Sequence, residues 1–319
     1  MAREASSRLA GAALIVVAAS CFGTLGPLAR YADAAGVSSL TLVTWRAGVG
    51  AICVSLFLLA RTMTGHRAVR PWRSLPSRDR RFISAAAVTN AALNLAVFVA
   101  FLRIGIALTL LIFYVYPAFV TLASVAWFND RLDRVRLAAL GISMAGMVLV
   151  VAGAGPLGGL DLLGIGLALI GALAQTFYAL AARYGFGQIP GTQAAALTLG
   201  GATVVYLSLG LLTGQLAAVA QPLASVPALW PALLAGIVGA GVPTMCFIVG
   251  IRLLGAPRAT ILSTLEPVVG VGLAALLFSE PPTVPQLLGG LLIIAAGMLL
   301  QLRGPEVAEH EAVASAATG

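Results

Sequence analysis

Ten apolar runs of about twenty residues, separated by short polar segments, leave this chain few ways to fold. They lie at about 9–29, 38–60, 82–102, 106–128, 134–152, 162–182, 193–213, 228–251, 257–278 and 284–302. A helix rises about 1.5 Å per residue, so ~20 residues cross the hydrocarbon core of a bilayer. None of the runs shows the dyad alternation of a barrel strand. Composition agrees: of 319 residues, 60% are hydrophobic and only 9% charged, against about 25% charged in a soluble domain. The expected fold is an all-α integral membrane protein with ten transmembrane helices, and its first partner is the lipid bilayer.

The first run resembles a secretory signal, with a basic start, an apolar stretch and small residues at Ala18-Ala19-Ser20-Cys21. Its apolar stretch continues to Leu28, beyond the ~7–15 residues of a cleaved signal. It is therefore read as a retained first span.

All nineteen basic residues are arginine, and their placement sets orientation. With ten spans both ends share one side. That side holds sixteen arginines, seven of them in the segment 61–81, whereas Arg30 and Arg103 fall on the other and Arg46 lies inside span two. Such a bias is the positive-inside signal, which predicts that both termini are cytoplasmic. The net charge of +8 is thus an orientation signal rather than a nucleic-acid footprint. The tail 303–319 is polar, acidic and rich in small residues, and is expected to be disordered.

Several chemistries lack the residues they need. His66 lies in a loop and His310 in the tail; Cys21, Cys53 and Cys246 are scattered through separate spans with no CxxC. No histidine at membrane depth can complete a hydrolytic triad or a zinc site, and no phosphate-binding GxxxxGK[ST] occurs. The chain is read as a non-enzyme without metal or cofactor.

The chain repeats. Segment 102–130 aligns with 252–280 at an offset of 150, pairing Gly105 with Gly255, Pro117 with Pro267, Phe128 with Phe278 and Asp130 with Glu280. The same offset pairs Asn94 with Thr244; SCFG (20–23) and QTFYA (175–179) correspond at a slightly different one. The halves are about 9–152 and 161–302. Five spans per half insert the second half upside down, and inverted repeats of this kind place a substrate site near the midplane between them.

These features resemble the EamA family of the drug/metabolite transporter superfamily. The resemblance rests on the two five-span repeats, the proline-centred helices that end in a carboxylate (YPAFVTLASVAWFNDRL and EPVVGVGLAALLFSEPPT), and WRAGVGA at 45–51. Within that family the chain is most similar to bacterial aromatic amino-acid exporters. The resemblance implies a secondary transporter in which spans one to four and six to nine surround a central cavity, with spans five and ten to the side. It implies a small-molecule substrate, aromatic or neutral amino acids first, with drugs, purines or nucleotide sugars as the alternative. Two departures break the symmetry: Tyr116 stands where the second half has Glu266, and span seven lacks a counterpart of Arg46.

Helical spacing selects the candidate site residues. Asn90, Asn94, Phe98 and Phe101 share one face of span three, and Thr244, Phe247 and Ile251 follow the same spacing in span eight. Buried amides in lipid face the bundle interior, either to meet a substrate or to bond a neighbouring helix. Tyr114, Tyr116, Gln175 and Tyr178 add rings and an amide for a flat, partly apolar solute. Trp45 fits either that wall or an interfacial belt. Thr24 lines span one or bonds its own backbone. Arg46 either snorkels or pairs structurally, or else it binds a substrate carboxylate. Glu266 has no counter-charge nearby in sequence; it either exchanges a proton with the cavity or serves the helix break at Pro267, as Pro117 marks the matching break. In the second case a neutral Glu266, or the hydroxyls of Ser263 and Thr264, takes up the carbonyl that Pro267 frees.

Overall fold

In the computed structural model, residues 2–64, 69–130, 133–153, 161–187 and 189–302 are described. His66, Arg67, Arg131, His310 and the tail expected to be disordered lie outside them. Among the described residues, nine helices of 19 to 29 residues are long and apolar enough to cross a membrane, and the shorter apolar Val284–Leu300 makes a tenth. Their order and positions follow the ten runs read from the sequence. Many large apolar side chains, among them Ile52, Leu56, Val204, Leu211, Leu276, Leu291 and Met298, project outward. So much exposed apolar surface would drive association in water and is the natural face toward lipid.

One expected loop is not there as a loop. The backbone is helical from Ser77 through Phe113, across the boundary drawn between spans three and four. A straight helix would separate Val97 from Phe113 by about 24 Å. Yet both side chains converge on Gly171, while Ile104 and Arg103 meet Gly164, two turns earlier on the same helix. The chain therefore doubles back near Arg103 with its hydrogen-bonded turns maintained. In the second half the matching reversal is an open break at Gly255, whose φ of +86° suits glycine.

The spans pair in a pattern that betrays the repeat. Span one packs on span eight and span three on span six; two packs on seven, four on nine, and five on ten. Exchanging each span with its counterpart five places along returns the same set. With five spans per half, the axis relating the halves lies in the membrane plane. Spans five (Arg134–Ala152) and ten (Val284–Leu302) pack chiefly on each other, to the side of the rest. They meet through Gly146 and Gly289: a Cβ on Gly146 would lie 2.7 Å from the Gly289 carbonyl oxygen. Close backbone approach through small residues is how helices associate without a hydrophobic driving force.

Candidate functional site

Helix breaks place the polar residues. Span four is interrupted at Tyr114–Val115 before Tyr116–Phe128, and span nine at Thr264 before Leu265–Phe278. Each break comes just before the repeat-related prolines, Pro117 and Pro267, which cannot donate to the carbonyls four residues earlier. Span one breaks at Thr24, three residues before Pro27, and Thr24 bonds Cys21 O through its hydroxyl at 2.7 Å. Span eight relaxes into a π-helical turn, Ile237–Gly241, just before Pro243. The hydroxyls of Ser263 and Thr264 do not take up the carbonyl freed by Pro267. They reach back a turn, to Thr260 O at 2.8 Å and Ile261 O at 2.6 Å, because hydroxyls on a helix bond the preceding turn of their own chain.

Arg46 turns into the bundle rather than toward the interface. Its Nε donates to Gly239 O at 3.0 Å, and its Nη1 donates to Asn94 Oδ1. Gly239 is the residue whose carbonyl Pro243 leaves without a helical donor, so a proline in span eight creates the acceptor that a guanidinium in span two fills. Gly50, Gly236 and Gly241 let spans two and eight approach closely enough for that bond. The Arg46 guanidinium also lies 6.0 Å from the Phe22 ring centroid.

Glu266 does have a counter-charge. Arg46 and Glu266 interact electrostatically across the seam between the halves, with no direct salt bridge between them among the described residues. The Tyr114 hydroxyl lies near the Glu266 carboxyl. Glu266 can sit here because span one passes it at Gly23, where a Cβ would lie 2.8 Å from Glu266 O.

The other predicted residues sort by position. Asn94 Nδ2 donates back to the Asn90 main-chain O at 2.7 Å and reaches the Asn90 side-chain Oδ1 at 3.5 Å, while Asn94 Oδ1 accepts from Arg46. Tyr116 shares a 2.6 Å bond between its hydroxyl and Ser263 Oγ, joining the two helix breaks. Tyr178 stacks parallel to Phe247 at 6.4 Å, and Phe247 meets Phe22 edge-on at 6.3 Å. Thr244 is buried beside them, and half-buried Gln175 makes no hydrogen bond among the described residues. Phe98 instead packs with Val43, Ala202 and Tyr206. Trp45 sends its indole N–H to Val219 O at 2.7 Å, tying span two to the 3-10 turns Leu216–Ala224.

The sequence reading missed Tyr206, whose hydroxyl donates to Ala91 O at 3.2 Å beside Asn94 and Arg46. It is the single aromatic residue in 193–213, a signal that was present. It also missed Phe22, the bond between Ser263 and Tyr116, and the Gly239 carbonyl. The last was recoverable from the proline four residues on.

At the two faces the repeat makes matching closures. On one face Phe128 stacks on Tyr184 at 3.8 Å, and Tyr184 donates to Asp130 at 2.8 Å. On the opposite face Arg30 lies 4.3 Å over Phe278 and pairs with Glu280 at 2.9 Å. Each thus sets the aromatic and carboxylate end of span four or nine against the end of span six or one. Between aromatic and carboxylate, Asn129 and Ser279 take φ of 53° and 54°. They are the two non-glycine residues with positive φ among the described residues.

A family model described as the EamA-like transporter family matches residues 9–152 and 162–302. No curated protein matches the chain. A solved structure described as "Crystal structure of protein" shares the fold with a TM-score of 0.73 at 19% identity, covering 93% of this chain and 96% of its own.

Proposed function

The chain belongs to the EamA-like transporter family, and from that premise we propose a secondary transporter working by alternating access, which carries aromatic or neutral amino acids outward across a bacterial cytoplasmic membrane. The observation that carries this reading is the cluster of Arg46, Asn94, Tyr114, Tyr178 and Glu266. It draws on both halves and is walled by the Phe22 and Phe247 rings. The halves 9–152 and 161–302 meet along the seam at which the site changes sides. The Phe128–Tyr184–Asp130 and Arg30–Phe278–Glu280 closures serve as gates, one on each face, of which one releases at a time. Both termini are cytoplasmic in this reading, following the arginine bias.

Flux of radiolabelled phenylalanine, tryptophan and a broader amino-acid panel in proteoliposomes tests the cargo. Selective uptake above empty vesicles is expected. Flux only of purines, nucleotide sugars or unrelated drugs would instead select the broader efflux reading. Single cysteines replacing Ser74 or Ser225 in a chain lacking its own three test orientation: an impermeant thiol reagent on whole cells should label the second and spare the first.

A further inference from the structure

We infer that Arg46 and Glu266 read the two charges of a zwitterion, with the α-carboxylate at Arg46, the α-ammonium at Glu266, and the solute's side chain against Phe22, Phe247 and Tyr178. This rests on the amino-acid reading above and sharpens it: the charged head is selected and the side chain is tolerated.

The guanidinium is held with one nitrogen open. Its Nε and Nη1 are bound to Gly239 O and Asn94, whereas Nη2 has no hydrogen-bond partner among the described residues, and the residue is only half-buried. A guanidinium fixed through two nitrogens presents the third, Nη2, in a set direction to a carboxylate oxygen. Glu266 belongs to the other half of the molecule. It attracts Arg46 without closing a salt bridge, and adjacent residues of span one touch both: Phe22 lies 6.0 Å from the guanidinium and Gly23 packs on the Glu266 backbone.

A zwitterion completes both sides at once, placing its negative group on the cation and its positive group on the anion. A solute with one charge satisfies one partner and leaves the other buried without a mate, which is costly at low dielectric. The Phe22 and Phe247 rings supply apolar faces and Tyr178 adds a ring with a buried hydroxyl, and a mostly apolar wall discriminates weakly among side chains. Because Arg46 and Glu266 come from opposite halves, the bound head also bridges the seam across which the halves move.

The test uses the full chain in liposomes and reads counterflow of radiolabelled L-phenylalanine against unlabelled competitors. L-Leucine and L-tyrosine should compete within about tenfold of phenylalanine. Phenethylamine, which lacks the carboxylate, and 3-phenylpropionate, which lacks the ammonium, should each be weaker by roughly 100-fold or more. Arg46→Gln should lose most of the discrimination against phenethylamine, and Glu266→Gln most of that against 3-phenylpropionate. The wild-type competitor series stands alone if either variant fails to fold. Single-charge analogues that compete as well as phenylalanine would overturn the zwitterion inference and leave amino-acid transport intact. Absence of phenylalanine flux in the wild type would overturn the amino-acid reading, and this inference with it.

Discussion

At the scale of single residues, the sequence shows two irregularities and the structure joins them. Glu266 has no carboxylate counterpart in the first half, and Arg46 has no arginine counterpart in the second. Folded, the two interact electrostatically without a direct salt bridge among the described residues. A lone charge in a low-dielectric interior is costly, and truncating one partner strands the other, so the two departures from symmetry compensate. Asn94 decides how the guanidinium is aimed. Hydrogen bonds to charged groups contribute about 1.5–3 kcal/mol. Under the proposed amino-acid transport, Asn94→Ala should therefore raise KM for phenylalanine roughly tenfold or more, leaving the thermal midpoint in detergent close to wild type. Steady-state flux against substrate concentration, with a melting curve on the same sample, checks this. A large drop in midpoint with unchanged KM would make Asn94 a packing residue.

At the scale of elements, proline positions were legible and their consequences only partly so. Pro117 and Pro267 mark paired breaks in the sequence, and breaks occur beside them. What each freed carbonyl then binds was not legible, because the partner comes from another helix. Pro243 is the clearest case: it leaves Gly239 O for Arg46. Pro243→Ala restores a backbone donor that competes for that oxygen. We expect a several-fold higher KM and equal or better thermal stability, since an interior helical proline is unfavourable by about 3 kcal/mol. The opposite pairing, lower stability with unchanged KM, would show that the π turn is needed for packing alone.

Helix starts give a second element-scale prediction. Asp161 caps span six by accepting from Leu163 N at 3.0 Å, and it pairs with Arg103 near the reversal of the preceding hairpin. The hydrogen bond from Arg103 holds its carboxyl below the usual carboxylate range. A depressed folded value means that the unfolded chain takes up the proton first as pH falls. The stabilisation is thus fully present above the ordinary value of about 3.9 and lost below it, as pH drops through the folded value. Asp161→Asn, which can still cap, should lower the thermal midpoint slightly at pH 7. The gap to wild type should close as pH falls below about 4 and narrow in high salt, since the pair is largely exposed. A gap independent of pH and salt would assign the effect to the cap instead.

At the scale of the whole molecule, the repeat becomes mechanics. The two closures use the same positions of the two halves, and the inversion puts them on opposite faces. Releasing one favours the conformation open to that face, a population shift set by the differential stability of the two closures. Asp130→Asn weakens the bond from Tyr184, and Glu280→Gln weakens the pair with Arg30. The two variants should shift cavity accessibility in opposite directions. A single cysteine at Gln175, labelled from each side of the membrane in turn, reads that shift. Equal labelling in both variants would remove the gating role.

What the sequence determined by itself was set by local physics. Run length and hydropathy fix ten spans, because a bilayer demands helices of one length. The arginine bias gives a prediction of orientation, and an odd span count per half implies inversion. None of these depends on which helix touches which. Tertiary structure decided the rest: that Arg46 and Glu266 interact from across the chain, that Gly239 lends its carbonyl, that Tyr206 stands beside Asn94, and that the turn at Arg103 stays helical. In lipid an apolar face has no preferred apolar neighbour. Partner choice falls instead to close glycine contacts and to polar groups that must find one another away from water, and both appear only once the helices are packed.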